Sequence, residues 1–174
     1  MKLLEKIANR YTFWAALLIY SVFGFYLMPR AMKGSAVTPL DLHFSYSPEI
    51  ARQTLAQMGT QGRASYVHFS HVLDTPYPLI YTALFVIVIL LLVKTLWPGS
   101  GRWRWLGLVP LLAMGFDFLE NHSIISMIHS WPSVSDKAAQ TASLFSSLKW
   151  SFIGVNAGLI FVLLILLAGR KLRR

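Results

Sequence analysis

Apolar residues gather into four stretches, at about 11–28, 77–97, 104–128 and 148–169, with segments richer in proline, glycine and charge between them. Each stretch is close to the ~20 residues that a helix needs to cross the hydrocarbon of a bilayer. The pattern predicts an all-α integral membrane protein of one domain, folded as a four-helix transmembrane bundle. Aromatics mark both ends of the first stretch, Tyr11 and Trp14 at one end and Tyr20 and Tyr26 at the other, as interfacial belts require. Pro29 is expected to end it.

The first connection, 30–75, is long enough to carry structure of its own. Thr38-Pro39-Leu40-Asp41 reads as extended or turn. Ser47-Pro48-Glu49 reads as a helix start, with serine as N-cap and proline in the first turn. The amphipathic pattern that follows, with Ile50, Leu55 and Met58 set among Arg52, Gln53 and Gln57, stops at Gly59. This predicts a short helix lying on the membrane surface or capping the bundle. A second pattern starts after Gly62 and feeds into the next span. There Tyr66, Ser70, Asp74, Tyr77 and Tyr81 recur at i+3 or i+4 and form one polar–aromatic stripe. Pro76 and Pro78 predict a kink or break close by. Pro98-Gly99-Ser100-Gly101 is a tight turn, and 130–147 reads as a polar connection.

Composition agrees with the pattern. The hydrophobic share is 55%, above the ~45–50% usual for soluble domains. The net charge of +9 would suggest a nucleic-acid partner if it were spread over one face. It is not. Lys2, Lys6, Arg10, Lys94, Arg102, Arg104, Arg170, Lys171, Arg173 and Arg174 fall on one side of the predicted bundle against Glu5 alone, which accounts for the whole net charge. The other basic and acidic residues cancel. The positive-inside rule then places both ends of the chain in the cytoplasm, with 30–75 outside, and a bacterial inner membrane is the expected location. Topology explains the charge without nucleic acid, and membrane lipids are the expected contacts of the basic tail. Oligomeric state is open.

The chain has no cysteine, which removes disulfides, thiolate catalysis and cysteine zinc sites. The basic start followed by an apolar run raises the question of a cleaved signal. Gly34-Ser35-Ala36 is the nearest thing to a cleavage site, and an uncleaved first span is the expectation.

The strongest chemical signal is Phe116-Asp117-Phe118-Leu119-Glu120-Asn121-His122, inside the third apolar stretch. Asp117, Glu120 and Asn121 share one helical face. Ionised groups cost roughly 2.5–3.5 kcal/mol each at a helix centre on insertion scales, so they face a protein interior or a wet cavity. With ~1.5 Å of rise per residue, Asp117 lies ~20 Å and Glu120 ~24 Å from Arg104, while Asn156 lies ~21 Å from Arg170. On the same count Asp74 lies ~30 Å from Lys94, near the outer surface. Lys149 lies two turns out from Asn156 on the same face. These depths predict an outward-opening pocket.

In that pocket Asp117 and Glu120 are the candidate catalytic carboxyls, able to share or relay a proton. Asn121, Asp74, Tyr77, Tyr81, Asn156, Lys149 and Arg63 are the candidate substrate-binding residues. The plainer reading is that one acid pairs with Lys149 or Arg63 and the other bonds to Asn156, as helix glue. The histidines His43, His68, His71, His122 and His129 lack metal-ligand spacing, so no metal and no cofactor is expected. Ser143, Ser146, Ser147 and Ser151 lack a nucleophile-elbow context and read as caps and turns. Gly154 and Gly158 permit close approach of a helix, normally within the bundle and alternatively in a dimer.

Two functions fit. One is a small membrane protein that binds or acts on a lipid-like or isoprenoid amphiphile by carboxylate acid/base chemistry. The other is a non-enzymatic accessory or assembly subunit, with a membrane protein as partner and the acids as structural glue. Transport fits less well, because four spans without an internal repeat make a thin transporter.

Overall fold

The computed structural model describes residues 6–33 and 37–173. Gly34-Ser35-Ala36, the nearest match to a cleavage site, lies outside the described residues, as do Lys2, Glu5 and Arg174 of the charge map. The described residues form helices and turns without a strand. Five helices are α1 (Arg10–Ala31), α2 (Pro48–Phe69), α3 (Tyr77–Leu96), α4 (Pro110–His129) and α5 (Asp136–Leu172). Short 3₁₀ or π segments lie at Leu40–Leu42, Ser70–Asp74 and Arg102–Leu108.

Three helical stretches are long and apolar enough to cross a membrane: Arg10–Ala31, Pro48–Leu96 and Asp136–Leu172. α4, the expected third of four spans, does not reach that standard. Asp117, Glu120, Asn121 and His122 dilute its apolar content, and the first three are buried among the other helices.

Asn9 caps α1 reciprocally with Thr12. Its side chain accepts from the Tyr11 and Thr12 amides, and its own amide donates to the Thr12 hydroxyl at 3.0 Å. Pro29 does not end this helix. The turns at Val22–Leu27 widen into a π segment, in which the Met28 amide bonds to the Phe23 carbonyl, and the helix continues to Ala31. A wide turn just before a proline relieves the clash between its ring and the preceding turn. α1 buries no residue of its own between Arg10 and Ala31 and packs mainly on α3, where the Tyr20 and Tyr77 rings stack at 6.0 Å.

Ser47 caps α2 as its sequence predicts, accepting from the Ile50 amide with Pro48 in the first turn. Gly59 bends the helix at φ +63° and ψ −178°, a backbone region open to glycine alone. Gly59 thus parts α2 into the two helices expected on either side of it, which meet at a kink without an intervening loop. The polar–aromatic stripe then turns inward. Tyr66, Ser70, Asp74 and Tyr81 are buried, the middle of it carried by the π turn Ser70–Asp74 ahead of Pro76.

The connection 130–147 is the largest departure from expectation. A short turn ends at Ser135, whose hydroxyl accepts from the Ala138 amide, and α5 then runs unbroken for 37 residues. Alanines at 138, 139 and 142 favour helix and let α5 lie close to its neighbours. α4 and α5 form the most extensive helix pair. Gly154 and Gly158 take no part in it. Both are exposed, and a Cβ built on either would meet nothing within 4 Å.

Three apolar clusters result, a small one of Ala8, Val86 and Leu90 and two larger ones. One, around Leu40, Leu55, Tyr66, Ile124, Met127 and Ala142, binds the 40–46 segment and α2 to the ends of α4 and α5. The other, around Ile89, Val93, Leu96 and Leu163, joins α3 to α5 near the basic end. Between them is a buried polar layer that includes Asp74, Thr82, Asp117, Glu120, Asn121, Ser146, Lys149 and Asn156.

Candidate functional site

α5 supplies most of the side chains that organise this layer. Ser143, Ser146, Lys149 and Trp150 recur at i+3 and i+4, so one face carries them all. That face grips the backbone of the 41–46 segment. Ser146 Oγ donates to the His43 carbonyl at 3.0 Å, Ser147 Oγ to the Phe44 carbonyl at 2.9 Å, and Ser143 Oγ accepts from the Tyr46 amide at 2.8 Å. Lys149 Nζ and Trp150 Nε1 both donate to the Asp41 carbonyl, at 2.9 and 3.2 Å. The serines read from sequence as caps and turn residues are instead a clamp on an irregular strap. A buried strap needs such partners, because unpaired backbone groups away from water are expensive.

Beneath the strap, Lys149 forms an ion pair with Glu120 Oε2, and the other carboxylate oxygen lies against Ser146 Oγ. Both partners are buried, so mutual attraction and hydrogen bonding offset their desolvation. Asp117, one turn away, takes a different partner: its Oδ2 accepts from the Tyr81 hydroxyl at 3.0 Å. Asp41 completes the group. Its Oδ1 accepts from the Tyr66 hydroxyl at 2.8 Å, and neighbouring Asp74 is 3.4 Å from Ser70 Oγ. Tyr46, in the strap, has a buried hydroxyl with no partner among the described residues. Burial, with the Glu120 and Asp41 carboxylates near it, pushes that phenol well above its ordinary range.

A cavity of about 220 Å³ opens where the strap, α1, α3, α4 and α5 meet. Asp117 forms its ionisable wall with Asp41 and Lys149, and Tyr20, Tyr77, Tyr81, Phe85 and Trp150 supply aromatic faces. Tyr20 comes from α1, which is held mainly by α3, so the cavity lies on the flank of the bundle between α1 and α5. A larger hollow of about 440 Å³ lies between the end of α1 and α2, lined by Met32, Lys33, Met58 and Phe69 among others. Among the described residues, no buried acid or lysine faces it.

Of the residues expected at the site, Asp117, Tyr77, Tyr81 and Lys149 meet at the cavity. Glu120 does not reach it and stands behind Lys149. Asp74, expected at the mouth, is 6% exposed and turned inward by the π segment. Asn121 is buried, and neither polar side-chain atom is bonded among the described residues. Asn156, expected near the acids, donates to its own helix at the Phe152 carbonyl and leaves Oδ1 unbonded. Arg63 is elsewhere: it donates to the Leu55 carbonyl across the Gly59 bend and stacks over Trp131. Sequence reasoning missed Asp41, Tyr20 and Trp150. The signal for Asp41 was an acid within the otherwise apolar and aromatic run Leu40-Asp41-Leu42-His43-Phe44.

Among the described residues, no group of three or more histidines and acids is placed to hold a metal ion. Fold and site together define a helical protein with membrane-length apolar helices, a buried polar layer and one carboxylate-faced cavity. No family model, curated protein or solved structure matches the chain.

Proposed function

We propose that this is a four-span bacterial inner-membrane protein, with both ends of the chain cytoplasmic, that binds or acts on the polar end of a membrane amphiphile. α4 joins the three apolar stretches as a span shielded by its neighbours. The charge asymmetry supports the orientation. The observation that carries the functional reading is Asp117: a carboxyl, 6% exposed, facing a cavity with aromatic walls on the flank of the bundle. At about 220 Å³ the cavity is smaller than the ~300–1,000 Å³ typical of sites that enclose a whole ligand. It suits a head group whose tail stays among the lipids.

In this reading Asp117 is the reacting or recognising group, and Tyr81 orients its carboxyl by donating to Oδ2. Glu120 acts through Lys149 as a positioning residue. Lipid mass spectrometry on protein extracted in mild detergent tests the proposal. The parent protein should carry an amphiphile that Asp117→Asn loses while keeping its helical content and melting behaviour. An equal lipid complement in the folded variant would reject it.

One observation favours the accessory-subunit reading, the open face at Gly154 and Gly158 on α5. A stoichiometric membrane protein that co-purifies with the parent chain and is lost with Gly158→Leu would support it.

A further inference from the structure

We infer that the head group taken by the cavity is cationic, an alkylammonium. This rests on the proposal that the cavity receives an amphiphile's head, and it narrows the chemistry of that head.

Charge count is the first ground. Asp41, Asp74, Asp117 and Glu120 lie in one buried layer, and Lys149 is the only buried lysine or arginine among the described residues. Lys149 is already committed: its ammonium meets Glu120 and donates to the Asp41 carbonyl. It has little left to offer an anionic head, and Arg63 is held at Leu55.

The second ground is independent of the acids. Tyr20, Tyr77, Tyr81 and Phe85 line the same small space with Trp150, whose ring already carries the Lys149 ammonium at 5.2 Å. Ring faces attract cations, and desolvated examples reach ~2 kcal/mol; aromatic boxes of this kind recognise quaternary ammonium groups. Third, Asp117 has an oxygen to spare. Oδ2 is engaged by Tyr81, whereas Oδ1 has no hydrogen-bond partner among the described residues, although the side chain is 6% exposed. An anion placed there would meet the Asp117 carboxyl, with Lys149 beside it already paired to Glu120. An ammonium would meet its counter-charge and the aromatic faces together.

Radiolabelled dodecyltrimethylammonium, added to the full chain in a neutral maltoside detergent, is the probe. Saturable binding of one molecule per chain is expected, with dodecyl sulfate and dodecanol failing to displace it. Displacement by tetramethylammonium would identify a free, tailless ammonium ion as sufficient. Displacement only by tailed ammonium compounds would identify a lipid-borne head. Both support the cationic site.

Asp117→Asn should weaken binding by roughly tenfold or more, the equivalent of about 1.4 kcal/mol. Phe85→Leu keeps an apolar side chain while removing a ring, and should weaken binding several-fold even if Asp117→Asn fails to fold. Melting curves establish which variants are folded. Saturable binding of dodecyl sulfate or dodecanol without ammonium binding would overturn the cationic inference while leaving the amphiphile reading intact. Absence of saturable binding by all three would overturn both. Unchanged affinity in folded Asp117→Asn would also overturn the inference.

Discussion

Lys149 on α5 and Glu120 on α4 form an ion pair whose side chains are only 6% and 0% exposed. The pair locks the two helices that contact each other most. Lys149 also holds the Asp41 carbonyl, so the same ammonium ties the strap to the bundle.

Breaking such a pair on one side leaves a buried charge without a partner. Glu120→Gln should therefore destabilise the protein by about 3–5 kcal/mol. The double change to Glu120→Met and Lys149→Met should recover much of that loss, since a packed apolar pair is often as stable as a buried ionic one. Unfolding in a graded mixture of mild and denaturing detergents measures both. A double variant no more stable than the single one would contradict this account of the pair.

The serine clamp makes a local prediction. Ser143→Ala and Ser146→Ala remove the bonds to the Tyr46 amide and the His43 carbonyl, each worth about 0.5–1.5 kcal/mol. Hydrogen exchange should then rise in 40–46 and leave the apolar half of α5 unchanged. Uniform acceleration across α5 would show that the serines support the helix instead of the strap.

Two glycines should respond in opposite directions. At Gly59 an added Cβ meets no neighbour, so Gly59→Ala isolates the backbone strain of φ +63°, about 1–3 kcal/mol of destabilisation. Gly154 is helical and equally open, so Gly154→Ala should stabilise by about 0.4–1 kcal/mol. Thermal melts of the two variants, compared with the parent, decide the matter.

Topology can be read with single cysteines, because the chain has none of its own. With intact cells, a membrane-impermeant maleimide should label Ser133→Cys and spare Ser100→Cys until the membrane is opened. The reverse pattern would invert the proposed orientation.

Much of the site's composition was legible from residue spacing, and its partition was not. Asp117 and Glu120, three residues apart, share a helical face, yet about 60° separates them around the axis. That angle suffices to aim one at Tyr81 and the cavity, the other at Lys149. Periodicity cannot resolve it, since neighbouring helices determine what each direction meets. Gly59 and Ser47-Pro48 were readable because glycine, serine and proline act through local backbone geometry. The strap was not, because residues 41–46 take their shape from partners about a hundred positions away, beginning with Ser143 and Tyr46. Nor was the continuity of α5: the polar residues of 136–147 look like a loop until α2 and the strap are seen to cover one side of them. Arg52 adds to that cover, reaching Asp136 at the start of α5 from α2.

The 37 residues of α5 extend about 55 Å, well beyond the ~30 Å of bilayer hydrocarbon. It works as a mast. The strap is fastened to its upper part and the wall residues Lys149, Trp150 and Ile153 stand lower on the same shaft, so a tilt of α5 carries ceiling and wall together. α1 is braced chiefly by α3, and α3 in turn packs on α5, so the mast anchors the far wall of the cavity, with Tyr20, as well as its ceiling and near wall.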